Sequence, residues 1–177
     1  MLQNVILGKT STLVDECLGN FFTSQLNCLY RTEKEFPLLL MTLRRMAPGE
    51  ELKELIQQYL LQSEKQFLRL EEIFSILLIA PLTGQCSEIE VIKRDIHNLT
   101  QKNKNAKRAH DAALLVIQKA IHYKMTAYAS LEQLAASLGM EDVCNLLNQC
   151  FQDEKEYELL FAELAEKNVV AESEWEP

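Results

Sequence analysis

The stretch AIHYKMTAY, residues 120–128, decides how this chain folds. Continued in both directions at steps of three and four, it generates Leu114, Ile117, Ile121, Lys124, Tyr128, Leu131, Ala135 and Leu138. That spacing places all of them on one face of a helix. The set suits a buried surface except near its middle, where it holds a lysine. The stretch therefore poses a fold and a site at once.

Three other segments repeat the pattern. A helix expected from about Phe21 to Met46 carries Phe22, Leu26, Leu29, Glu33, Phe36, Leu40, Leu43 and Ala47. A second, from about Glu50 to Leu78, carries Leu52, Ile56, Tyr59, Ser63, Gln66, Leu70, Ile73 and Leu77. The last, over 141–167, carries Val143, Leu147, Cys150, Glu154, Tyr157, Phe161 and Leu164. Each series turns polar near its centre. The expectation is a buried polar layer of Glu33, Gln62, Gln66, Lys124 and Glu154. Taken singly, each long side chain has an alternative, to snorkel from the stripe's edge into solvent.

The punctuation between the stripes sets the topology. APGEEL (47–52) separates the first two helices, and APLTGQC (80–86) ends the second. Ser87 and Glu90 have the spacing of a capping box, opening a short helix to about Leu99. The polar run TQKNKNAKRAH (100–110) reads as a loop or frayed end, and the third long helix as Asp111 to Leu138. Gly139 suits a helix-ending position. Hairpin, crossover with a small helix, hairpin: this is an all-α, ferritin-like four-helix bundle. The domain is expected over 1–167, with 168–177 a loosely held tail. Pro37 falls inside the first helix and predicts a kink rather than an end, because the apolar period continues through it.

The totals narrow the function. At 177 residues and 47% apolar, the chain suits one domain with a substantial core. A net charge of −8 disfavours nucleic acid and anionic membranes as partners. IFSILLIAPL (73–82) is too short to span a bilayer, and no secretory leader opens the chain, so a cytoplasmic location is expected. Cys17, Cys28, Cys86, Cys144 and Cys150 include no C-x-x-C pair and are expected to be reduced thiols.

Polar layers in such bundles commonly hold metal, using a glutamate from each of two helices and E-x-x-H from the other two. Here Phe36 and Tyr157 follow Glu33 and Glu154 where histidines would be needed. Gln62, Ser63 and Gln66 occupy the inward region of the second helix, and Lys124 adds positive charge. His122 points about 160° away from Lys124 around the helix. His97 and His110 lie in the crossover without a partner motif.

The segments LYRTEKE (29–35), EELKELIQQYLLQSEKQFLRLEEIF (50–74), CSEIE (86–90), IHYKMTAY (121–128) and DEKEYELLFAELAE (153–166) resemble the YciE/YciF family. These are bacterial, ferritin-like proteins linked with stress. The resemblance implies a rubrerythrin-like architecture, homodimers and a dimetal site. Carried over by position, that site keeps Glu33 and the acidic Asp153, Glu154 and Glu156. Gln62 stands where the family has an acid, and Lys124 where it has a glutamate. The expected protein is thus a non-enzymatic bundle with no catalytic residues and no cofactor, Lys124 replacing metal charge. It acts as a homodimer or through a protein partner. The alternative is a di-iron or di-manganese oxidoreductase or metal store built on Glu33 and Glu154. A lysine-based enzyme is disfavoured, because two adjacent glutamates raise the amine's pKa.

Overall fold

The computed structural model describes residues 13–82, 86–102 and 106–173. They form five helices: α1 (Leu13–Met46), α2 (Glu50–Ile76), α3 (Ser87–Lys102), α4 (Ala106–Ser137) and α5 (Glu141–Ser173). Two hairpins, α1–α2 and α4–α5, lie side by side, with α1 against α4 and α2 against α5. The crossover helix α3 packs on α1 and α4. The fold is the all-α bundle that the four stripes imply.

Four of the helices extend beyond the expected bounds at one end, whereas α2 stops at Ile76 rather than Leu78. Helix α1 starts at Leu13 rather than Phe21, and α5 continues to Ser173, so the expected boundary at 167 falls within a helix. Most of the polar run 100–110 is also helical, with 103–105 outside the described residues. Lys, Gln, Arg and Ala favour helix without any apolar period, which is why periodicity alone stops short. Residues 174–177 of the expected tail lie outside the described residues as well. Helix α1 runs through Pro37, which withholds the amide that would otherwise bond the Glu33 carbonyl.

The α4–α5 turn shows how one residue sets a hairpin. The Met140 amide donates to the Ala135 carbonyl at 3.0 Å, and the Gly139 amide to Ala136 at 3.1 Å. This closure needs a left-handed residue, and Gly139 supplies it with φ +69°. Without a Cβ it adopts that backbone at no steric cost.

The apolar core falls into two clusters. One contains Phe36, Leu40, Ile56, Tyr59, Ile117, Ile121 and Phe161, together with the apolar face of α3. The other contains Phe22, Leu26, Leu70, Ile73, Tyr128, Leu131 and Leu147. On every long helix the residues between the clusters are polar: Glu33 on α1, Ser63 and Gln66 on α2, Lys124 on α4 and Glu154 on α5.

Candidate functional site

Lys124 occupies the centre of that level. Its Nζ lies 3.0 Å from Glu33 Oε1 and 2.8 Å from Glu154 Oε1, and none of the three side chains reaches solvent. The neighbouring helices complete the shell because their inward residues recur at the same height. From α2, the Tyr59 hydroxyl accepts from Lys124 Nζ at 3.2 Å and donates to Glu154 Oε2 at 2.6 Å. Gln66, two turns further on, accepts from Lys124 at 3.0 Å and donates to Glu154 Oε1 at 2.7 Å. Ser63 donates to Glu33 Oε2 at 3.1 Å. From α4, Tyr128 donates to Glu33 Oε1 at 2.7 Å. The ammonium also sits 4.7 Å from the Phe36 ring centre and 5.0 Å from that of Tyr59, within reach of the rings' negative faces.

Every buried side-chain nitrogen and oxygen among the described residues has a partner. An unpaired one would cost about 1–3 kcal/mol, more if charged. The electrostatics follow from burial and pairing. Burial pushes the Glu33 carboxyl above its ordinary value; Lys124 opposes this and Glu154 adds to it. Burial alone would lower the Lys124 amine, yet the two glutamates raise it above the ordinary lysine value. Burial and the adjacent carboxylates hold Tyr59 and Tyr128 well above the ordinary phenol. The lysine is thus held as a cation and offers no free amine for nucleophilic chemistry.

One residue of the expected layer lies elsewhere. Gln62 is only half-buried and donates to Asp153, which also pairs with Arg69 at the α2–α5 seam. It precedes the inward Ser63 by one residue, about 100° around the helix, so the two cannot share a direction. Glu156 is exposed, and His122 projects to solvent with its Nε2 4.0 Å from Glu158. Conversely, Tyr59 and Tyr128 are partners of the buried charges although they read as core aromatics. The available signal was position, since Tyr128 lies one turn from Lys124 on the same stripe.

The thiols require a second correction. Cys28 and Cys86 form a disulfide with Cα atoms 5.2 Å apart, whereas Cys17, Cys144 and Cys150 are free. The pair is separated by 58 residues and meets only because α3 folds back on α1. With Glu88 it is the one group of three or more His, Cys, Asp and Glu side chains, among the described residues, close enough to share a metal ion. Its two sulfurs are committed to each other.

A dimetal centre does not fit the layer. Such a site needs several carboxylates and imidazoles around a cationic centre. Here there are two carboxylates, no imidazole, and an ammonium already between them.

A family model described as Domain of unknown function (DUF892) matches residues 18–174. The chain belongs to this family. Protein YciF of Escherichia coli (strain K12) is 28% identical to this DUF892 member over 164 residues, covering 89% of this chain and 95% of YciF. The crystal structure of the E. coli stress protein YciF superposes with a TM-score of 0.82 at 22% identity, over 86% of this chain and 96% of that one. YcfI of Rhodopseudomonas palustris gives a TM-score of 0.78 at 20% identity, over 82% and 92%. These structures share the fold of this chain.

Proposed function

We propose that this protein is a non-enzymatic, stress-associated helical bundle of the bacterial cytoplasm. In it Lys124 supplies the positive charge that metal supplies in dimetal bundles. The observation that carries this is the position of Lys124 Nζ, within 3.0 Å of both Glu33 and Glu154. An ammonium there neutralises two carboxylates that could not otherwise be buried. Its donors point at the oxygens a cation would ligate, so metal must displace it to enter. The likeness to the E. coli stress protein supports the stress association.

The function is then binding rather than catalysis. The outward face of α1–α2 offers the surface: Leu38, Met41, Leu61 and Leu68 are all more than half exposed. Pro37, Phe67 and Leu68 line a cleft between the two helices, flanked by Lys34 and Glu64. Exposed apolar side chains grouped in this way mark an interface, and we assign it to a homodimer. Light scattering across the micromolar range should give a dimer, and a monomer for Leu61→Glu with Leu68→Glu. A monomeric parent protein would leave the face to another partner.

Elemental analysis of protein purified from metal-supplemented medium tests the metal-free assignment. The expected result is no stoichiometric iron, manganese or zinc. One or two metals per chain, lost on changing Glu33 or Glu154, would establish the dimetal alternative instead. A converse test replaces Lys124→Glu and Gln66→Glu together; Gln66 is the right partner because it touches both Lys124 and Glu154. Four crowded carboxylates should make this variant unstable near neutral pH unless a divalent cation binds. Added manganese should raise its Tm and leave the parent protein's Tm unchanged.

A further inference from the structure

The geometry points to Cys28 and Cys86 as a reversible thiol–disulfide exchange site for low-molecular-weight thiols. Three observations converge on it. Cys28 and Cys86 are among the residues lining an open cleft of about 560 Å³ between α1 and the start of α3, bordered by Asn20, Ser24, Arg31 and Leu82. Cys28 is half-buried and Cys86 nearly fully so, which leaves Cys28 Sγ as the sulfur an incoming thiolate meets. The pair also has its own polar surroundings. Glu88 Oε2 lies 3.2 Å from Cys28 Sγ and 3.3 Å from Cys86 Sγ, the Tyr123 hydroxyl 3.6 Å from Cys28, and the Thr32 hydroxyl 3.7 Å from Cys86.

Those contacts mean different things in the two redox states. A disulfide has no proton to give, so the Glu88 carboxylate faces sulfur without a hydrogen bond. After reduction, either thiol can donate to that oxygen without moving far. The corner therefore accommodates the dithiol as well as the disulfide.

The exchange balances as follows. A small thiolate attacks Cys28 Sγ, the Cys28–Cys86 bond breaks, and its electron pair leaves on Cys86, which takes a proton. A second thiolate attacks the small-molecule sulfur of the mixed disulfide and expels Cys28. The products are one small-molecule disulfide and two protein thiols, a two-electron reduction of the protein. Charged and titratable groups face the sulfurs from each packed helix: Arg31 on α1, Glu88 on α3 and Tyr123 on α4. The carboxylate is nearest, and it repels both the attacking and the departing thiolate. Glu88 thus holds the exchange rate down, as a positioning residue that itself makes no covalent bond.

Glutathione buffers of defined thiol-to-disulfide ratio test this on the intact protein. Samples are acid-quenched, alkylated, weighed as whole chains and mapped by peptide. Cys28 and Cys86 should change together and reversibly as the ratio changes, while the folded state persists by circular dichroism. The reduction rate should climb about tenfold per pH unit below the attacking thiol's pKa, because only the thiolate attacks. Glu88→Gln, which removes charge and keeps shape, should speed reduction by about tenfold, the factor equivalent to one pKa unit. A disulfide that resists glutathione in the folded protein and yields only in denaturant would overturn the site and mark a purely structural cross-link. So would glutathione chemistry confined to the exposed Cys17. A Glu88→Gln rate equal to the parent's would remove the role given to that carboxylate.

Discussion

Two polar places on α1 stand side by side and are built on opposite terms. Thr32 turns its hydroxyl toward Cys86, while the next residue, Glu33, turns inward to Lys124. The Lys124 layer is dry, charged and fully paired. The Cys28–Cys86 corner opens on a cleft, and its covalent bond can be exchanged. The contrast shows what burial demands of reactive groups. Charges taken from water must be compensated from every side, and this compensation takes away the lone pairs and protons chemistry would use. A disulfide carries no charge, so it can stay half-buried without such a shell and remain reachable.

The largest expected effect removes the centre of the dry layer. Lys124→Met keeps the volume and leaves Glu33 and Glu154 buried without a counter-charge. Breaking a buried charge cluster in this way typically costs about 3–5 kcal/mol, which urea denaturation at pH 7 will measure. The deficit should shrink as pH falls, since burial raises the Glu33 carboxyl and the variant loses the Lys124 charge that opposes this. Adding Glu33→Gln and Glu154→Gln should restore much of the loss, because no charge is then left unpaired. A neutral Lys124→Met would erase the contrast by showing that the layer is not electrostatically closed.

The second effect acts on the other region. Opening the disulfide, by reductant or by Cys28→Ser, releases a loop of 58 residues. Disulfides typically contribute about 2–4 kcal/mol, and a loop of this length lies at the upper end of that range. The difference between parent and Cys28→Ser should therefore vanish in excess reductant. If it persists there, the serine disturbs packing and the bond itself contributes little.

A smaller effect isolates one hydrogen bond. Tyr128→Phe deletes the hydroxyl that donates to Glu33 Oε1 and leaves the ring in place. Hydrogen bonds to charged groups contribute about 1.5–3 kcal/mol, so the loss should fall in that range by the same urea assay. A loss near zero would mean that Lys124 and Ser63 alone satisfy Glu33.

The dry layer was far more legible in the sequence than the corner, for physical reasons. A helical stripe records burial along one dimension, so Glu33, Gln66, Lys124 and Glu154 announce themselves as breaks in an apolar period. Gln62 failed because it was placed in the layer against the spacing: the period of the second helix selects Ser63 and Gln66, and Gln62 lies about 100° around the helix from Ser63. The tyrosine hydroxyls were hidden because the ring satisfies the stripe and conceals the donor at its tip. Cys28 and Cys86 belong to no common period. Their meeting depends on how the crossover lies against α1, and no local spacing records that.

The final prediction uses alkali to read the closed layer alone. In the folded protein Lys124 holds its proton above the ordinary value of 10.5, and Tyr59 and Tyr128 hold theirs above 10.0. The unfolded chain releases these protons near the ordinary values. Between those values and the folded ones, the folded state binds more protons, so stability falls as pH rises. The stabilisation these groups contribute is therefore fully present below about pH 10 and lost above it. Each such proton changes the slope by about 1.4 kcal/mol per pH unit. Urea midpoints from pH 8 to 11.5 should stay level and then decline steeply. The variant combining Lys124→Met, Glu33→Gln and Glu154→Gln should decline less steeply by at least one proton's worth, because the amine is gone and the phenols have lost their neighbouring carboxylates. The disulfide does not titrate, so the double variant Cys28→Ser with Cys86→Ser, which leaves no new thiol behind, should be offset from the parent by a constant amount across the same range. A shared slope for the parent and the triple variant would show that the buried ammonium exchanges protons as freely as a surface lysine, and the distinction between a closed layer and an open corner would fail.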